Sequence, residues 1–152
     1  MSEYEIIDAI CDKVNPLLFL IVSGLLVKDL YRRELVRASV RFGFLFSGLL
    51  LVYGFMLLDS KLGIWESFGG DYSTHTAFAI AVCVAISISI QWAKWVIGTL
   101  LLYAIAMLYQ GYHSILDVVT TSIIIGLPLI LFRLLIGGLD YAQDAPITDG
   151  SC

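Results

Sequence analysis

Residues 73–118 read STHTAFAIAVCVAISISIQWAKWVIGTLLLYAIAMLYQGYHSILDV, and the fold turns on how polar and apolar character alternate along this stretch. Two apolar runs, 76–93 and 95–109, are separated by Lys94 and bracketed by polar ends that hold both histidines of the chain, His75 and His113. A tight hairpin of two helices with roughly 19 residues per leg returns the chain to the membrane surface it left. The spacing therefore predicts that the two imidazoles share one end of a helical bundle.

Outside this stretch the same pattern recurs. Apolar segments fall at approximately 16–31, 42–58, 76–93, 95–109 and 118–137. The last four are each about long enough, some with their flanks, for a hydrocarbon core of roughly 30 Å. The first is weaker, because uninterrupted apolar character stops at Val27. Asn15 and Pro16 read as the cap and first turn of its helix. Residues 3–14 place Ile6, Ile7, Ile10, Cys11 and Val14 on one face, which predicts a separate short helix on the membrane surface. The expected organisation is an interfacial amphipathic segment at 1–15, a membrane domain of about five transmembrane helices at 16–138, and a flexible tail at 139–152.

Composition agrees. The chain has 152 residues, 59% hydrophobic and 14% charged, with a mean hydropathy of +0.90. A soluble domain carries about 25% charged residues, so a bilayer is the implied solvent. The formal charge of -4 gives no footprint for nucleic acid. Cys11, Cys83 and Cys152 are scattered, with Cys83 inside an apolar run, and show neither a disulfide framework nor a paired metal spacing. The acidic N-terminus, with Glu3, Glu5 and Asp8, does not read as a cleaved signal.

The basic residues set an orientation. Lys28, Arg32, Arg33, Arg37, Arg41, Lys94 and Arg133 fall on one side once the spans are drawn, against Lys13 and Lys61 on the other. The positive-inside rule then places 28–41 and the C-terminal tail in the cytoplasm, and 59–75 and 110–117 outside. The 28–41 cluster reads as topology and head-group contact. Trp65 reads as an outer-boundary anchor, Trp92 and Trp95 as inner ones. Tyr112 reads equally as an interfacial anchor or a substrate contact, and Gly43, Gly48 and Gly54 as points of close helix packing.

The hydrophilic groups that topology leaves unexplained gather on the outer side: Asp59, Lys61, Glu66, Asp71, Ser73, His75, Gln110, His113 and Asp117. His113 and Asp117 are one helical turn apart, so a carboxylate can hold the proton of one imidazole nitrogen and leave the other free as nucleophile or base. An aspartate at the bilayer centre costs about 2.5–3.5 kcal/mol on insertion scales, which favours an interfacial position and a partner. A metal held by the two histidines and the aspartate is a weaker reading, since nothing in the spacing requires zinc.

These residues resemble a known family. Ser73-Thr74-His75-Thr76-Ala77-Phe78-Ala79 is similar to the PSGH motif of the type 2 phosphatidic acid phosphatase superfamily, which often continues Thr-Ala-Phe-Ala. Tyr109-Gln110-Gly111-Tyr112-His113-Ser114-Ile115-Leu116-Asp117-Val118 resembles that family's last motif, and the similarity spans approximately 59–137. The resemblance implies an all-α membrane phosphatase or phosphotransferase acting on a phospholipid or polyprenyl phosphate without a cofactor. Its site would face the extracytoplasmic side of the cell membrane. His113 would attack phosphorus to form a phosphohistidine, Asp117 would orient it, and His75 would protonate the leaving oxygen. Ser73 would hold phosphoryl oxygens at a helix N-terminus.

The departures are specific. Phe68-Gly69 stands where the family has Arg-Pro, Met107 replaces the last-motif arginine, and Ala106 the serine before it. Tyr72 and Thr74 replace the proline and glycine of the second motif. Losing one such charge-stabilising donor costs on the order of 100 to 1,000-fold in rate. Three outcomes fit: Lys61, Tyr72, Thr74 and Gln110 rebuild the clamp; the substrate differs, as in the similar sphingomyelin synthases, which move a head group between lipids; or the fold survives as a non-catalytic lipid-binding or scaffold protein.

Overall fold

The computed structural model describes residues 3–87 and 90–143. Five α-helices follow one another among the described residues: α1 (Glu3–Tyr31), α2 (Leu35–Leu62), α3 (Thr74–Ile86), α4 (Ile90–Tyr109) and α5 (Ile115–Gln143), with a 3-10 turn at Glu66–Phe68 before α3. Three stretches, Ile7–Tyr31, Leu35–Leu62 and Ile115–Ile136, are long and apolar enough to cross a membrane. Large apolar side chains such as Leu20, Val36, Leu50, Leu102 and Leu134 remain exposed on the outside of the bundle, where a bilayer would solvate them.

The organising element is α3, whose sequence THTAFAIAVCVAI offers no polar face. A helix apolar all round belongs in the interior. Ala77, Ala79, Ala81, Val82, Cys83 and Ala85 are all buried, and α1, α2, α4 and α5 each pack against it. Its alanines let the neighbours approach closely. The tightest approach is at Gly48 of α2, where a Cβ would lie 2.8 Å from Ala81 Cβ. Gly43 and Gly54 have nothing within 4 Å of that position, so only one of the three expected packing glycines is such a contact. Gly48→Leu is expected to cost about 1–3 kcal/mol by overpacking, read as a lower thermal midpoint in detergent, while Gly43→Leu stays near wild type.

Length is where α3 departs from expectation. The run at 76–93 suggested a full span, but α3 has 13 residues and stops at Ile86. At ~1.5 Å per residue it reaches only ~20 Å, short of a hydrocarbon core. Its C-terminal end is met inside the bundle by arginine. Arg41 Nη1 donates to the carbonyls of Ala85 (2.7 Å) and Ile86 (3.4 Å), and its Nε donates to Asp29 Oδ2 at 2.8 Å. Both charged residues are buried, Arg41 at 4% and Asp29 at 3% exposure. Arg133 of α5 adds a bond to Ser87 Oγ at 2.8 Å. Arg41 thus satisfies carbonyls that the helix C-terminus leaves unpaired, and Arg133 binds the capping serine's hydroxyl beside them. Arg41 was expected to face head groups; it is an internal cap instead.

The separate surface helix over residues 3–14 does not form. α1 runs unbroken through Pro16. The face that reads as membrane-surface continues past the proline: Ile7, Cys11, Val14, Leu18, Val22 and Leu25 all join the core cluster. Packing of that stripe outweighs the single backbone hydrogen bond that proline removes. Asn15 does not act as a cap; its Nδ2 donates to the carbonyl of His75, 3.3 Å away. At the other end, α5 extends to Gln143, so 139–143 of the expected tail is helical, and 144–152, with Cys152, lies outside the described residues. The side chain of Trp92 lies outside them as well.

Candidate functional site

The end of the bundle that carries both histidines is closed by the loop between α2 and α3. α2 stops at Gly63, which takes a left-handed conformation (φ 59°) and returns its N–H to the Asp59 carbonyl. Asp59 Oδ1 then accepts the N–H of Trp65 at 2.8 Å. Trp65 is not a boundary anchor: it is fully buried, stacks edge-on against Tyr72 with centroids 4.9 Å apart, and donates its indole N–H to Thr120 Oγ1 at 2.9 Å. This aromatic plug holds the loop down on α5.

Two further bonds fix the loop's exit. The N–H of Asp71 donates to Asp117 Oδ1 at 2.7 Å, and that of Ser73 to Thr121 Oγ1 at 3.2 Å. Gly70 must be glycine for the first bond to form, because a Cβ there would sit 2.8 Å from Asp117 Oδ1. Asp117 also closes a reciprocal cap on α5. Its Oδ2 accepts the Ser114 N–H at 2.7 Å, and Ser114 Oγ accepts the Asp117 N–H at 3.2 Å. Ser-x-x-Asp before an apolar run is the sequence signature of such a capping box. That signal was present at Ser114–Asp117 and escapes a reading focused on the histidine.

His113 precedes this cap. Its Nδ1 lies 3.9 Å from Asp117 Oδ2 and is buried without a hydrogen-bond partner. The expected His113–Asp117 pair is therefore adjacent but not bonded. Burial pushes the His113 imidazole below its ordinary 6.5; Asp71 and Asp117 pull it back up, and the nearby His75 lowers it again. The neutral form with a free ring lone pair is thus favoured near neutrality, which suits a nucleophile or base.

The other expected site residues divide by exposure. His75 is exposed and Thr74 half-buried, and both line a cavity of about 450 Å³ between α1, α2 and α3 whose walls include Asp12, Asn15 and Tyr53. Lys61 is exposed in a second, polar crevice with Asp59, Glu66, Gly70 and Asp71. Ser73 is wholly buried as the N-cap of α3; its Oγ donates to Thr76 Oγ1 at 2.8 Å and accepts the Thr76 N–H at 3.4 Å. Tyr72 is buried with its hydroxyl on the Val52 carbonyl at 3.0 Å. Burial, and then Asp59, raise the pKa of that phenol. Gln110 is buried at the end of α4. The fold sets Asp117 beside His113, with Asp71 and His75 near enough to act on the His113 charge, while His75 opens on its own cavity and Lys61 shares a crevice with Asp71. Ser73, Tyr72 and Gln110 lie within the packing beneath.

Asp12 and Tyr53 are site-end residues that the sequence did not single out, and Asn15, read there as a helix cap, joins them on the cavity wall. Tyr112 contacts Asp8 through its hydroxyl, which ties the α4–α5 loop to α1. Among the described residues no group of three His, Cys, Asp or Glu side chains is placed to hold a metal ion. No protein-family model, curated protein or solved structure matches the chain.

Proposed function

We propose that the chain is a divergent member of the type 2 phosphatidic acid phosphatase superfamily. In this reading it is an integral membrane enzyme that cleaves or transfers a lipid phosphate group through a phosphohistidine on His113, at the extracytoplasmic face. The observation that carries this reading is the convergence of His75, His113 and Asp117 at one end of the bundle. They come from α3, the α4–α5 loop and α5, with His75 near enough to help lower the pKa of His113. The basic residues in and beside the turns at the opposite end, Lys28, Arg32, Arg33, Arg37 and Lys94, support a cytoplasmic placement there.

In the reaction, the His113 Nε2 lone pair attacks phosphorus while the bond to the leaving oxygen breaks, and His75 delivers a proton to that oxygen. Water or an acceptor hydroxyl, deprotonated by His75, then displaces the histidine and regenerates it. A modest rotation would bring Nδ1–H from 3.9 Å into hydrogen-bond range of Asp117 Oδ2 and stabilise the charge His113 acquires. Catalytic hydrogen bonds commonly tighten only when substrate is bound.

A second reading, a non-catalytic lipid-binding protein with the same fold, is favoured by one observation: both Asp117 oxygens accept backbone N–H bonds, from Asp71 and Ser114, as a purely structural capping residue would. Turnover separates the two. The reconstituted protein should release phosphate or transfer a head group from a short-chain phospholipid panel, whereas the second reading gives binding alone. The pH profile is a further check. Because His113 is held below 6.5 and must be neutral to attack, the acid limb of kcat/KM should be centred below that value. An acid limb centred above 6.5 would contradict His113 as the nucleophile in this environment.

A further inference from the structure

The cavity on which His75 opens has a chemical character unlike a phosphate clamp. Its walls include the carboxylate of Asp12 and three aromatic rings, Phe19, Tyr53 and Phe78, and its volume is about 450 Å³. Phe19 and Phe78 lie with ring centroids 6.3 Å apart, tilted by 42°, and form one side. Asp12 and Phe19 come from α1, Tyr53 from α2 and Phe78 from α3, so three helices wall the space. Asn15, on the same wall, carries a buried Oδ1 that no donor among the described residues reaches. Aromatic faces beside a carboxylate are the combination that recognises an ammonium group, through cation–π attraction and direct charge pairing.

Charge at this end of the bundle points the same way. Asp8, Asp12, Asp59, Glu66 and Asp71 stand here against Lys13 and Lys61, and every arginine of the chain lies toward the other end. A phosphate monoester dianion would enter an acidic surround without an arginine to meet it. A phosphodiester carrying its own cation brings compensation, since its ammonium meets the carboxylates while its single phosphate charge needs less neutralisation.

We propose that this cavity binds the ammonium end of a zwitterionic phosphodiester lipid head group, and that Asp12 and Tyr53 determine selectivity for it. Its use in turnover rests on the phosphohistidine reading; the binding itself does not. His75 forms part of the cavity wall, so an ammonium seated against Asp12 and Tyr53 would leave the adjoining phosphate beside that imidazole.

The test uses the full-length protein in phosphatidylglycerol nanodiscs, titrated with dihexanoyl phosphatidylcholine, dihexanoyl phosphatidylethanolamine and dihexanoyl phosphatidic acid, with turnover followed in parallel. At least one of the two ammonium lipids is expected to bind about tenfold or more tightly than phosphatidic acid. Asp12→Asn and Tyr53→Ala should each remove most of that preference, while Tyr53→Phe retains it. A choline preference would assign the aromatic wall as dominant, an ethanolamine preference Asp12 and Asn15. Equal or tighter binding of phosphatidic acid, or variants that weaken all three lipids alike while melting at the wild-type temperature, would overturn the proposal. Ammonium selectivity without turnover would remove the enzymatic reading and keep the binding site; turnover without head-group selectivity would do the reverse.

Discussion

Replacing His113 by alanine is expected to reduce turnover of any lipid phosphate substrate by more than roughly 1,000-fold, with little change in stability. The size follows from the role, since removing a nucleophile deletes the covalent route rather than one contribution to it. The small stability effect follows from the site: His113 Nδ1 makes no hydrogen bond, and the α5 cap is built from Ser114 and Asp117. Asp117→Asn should behave differently. Its side chain holds the loop at Asp71 and the start of α5 together, so this variant loses stability as well as rate. A parallel loss of fold in His113→Ala, or its full activity, would contradict this assignment.

The largest effect on the fold is expected at the opposite end of the bundle. Arg41→Ala would strand Asp29 at 3% exposure and leave the Ala85 and Ile86 carbonyls without their donor. Breaking one partner of a buried ion pair costs about 3–5 kcal/mol, because the remaining charge keeps its desolvation penalty. Asp29→Asn should cost less, since Arg41 still caps α3 and a neutral amide remains beside it. Removing both charges in Arg41→Met with Asp29→Leu is expected to cost less than Arg41→Ala alone. Thermal unfolding in a fixed detergent orders these variants, and an Arg41→Ala midpoint within a degree or two of wild type would show that the pair contributes little.

What the sequence revealed and concealed follows from the range of each signal. The helical class and the return of His75 and His113 to one end were legible because they depend on hydrophobic runs and polar interruptions, which are local; the break expected at Lys94 was misplaced, since α3 ends at Ile86 and Lys94 lies inside α4. The length of α3 was not. The run at 76–93 looks continuous, and only the tertiary position of Arg41, 44 residues before Ala85, supplies the cap beneath it. The break at Asn15-Pro16 was a strong local signal overridden by the stripe from Ile7 to Leu25, whose partners on α2, α3 and α4 are distant in sequence. Trp65 looked like an anchor because tryptophan favours interfaces; its burial depends on Thr120 and Tyr72 accepting it from elsewhere in the chain. Ser73 and Asp117 were identified as polar groups with work to do, and the structure adds that both cap helices.

The central claim is that His113 carries a phosphoryl group during turnover. It is tested most directly by mixing the reconstituted protein with a short-chain phospholipid panel, quenching at alkaline pH, where phosphohistidine survives, and sequencing the peptides by mass spectrometry. The account predicts a phosphoryl or phosphodiester adduct on His113, lost on acid treatment and absent in His113→Ala. Substrate turnover with no adduct on His113, or an adduct on another residue, would contradict it.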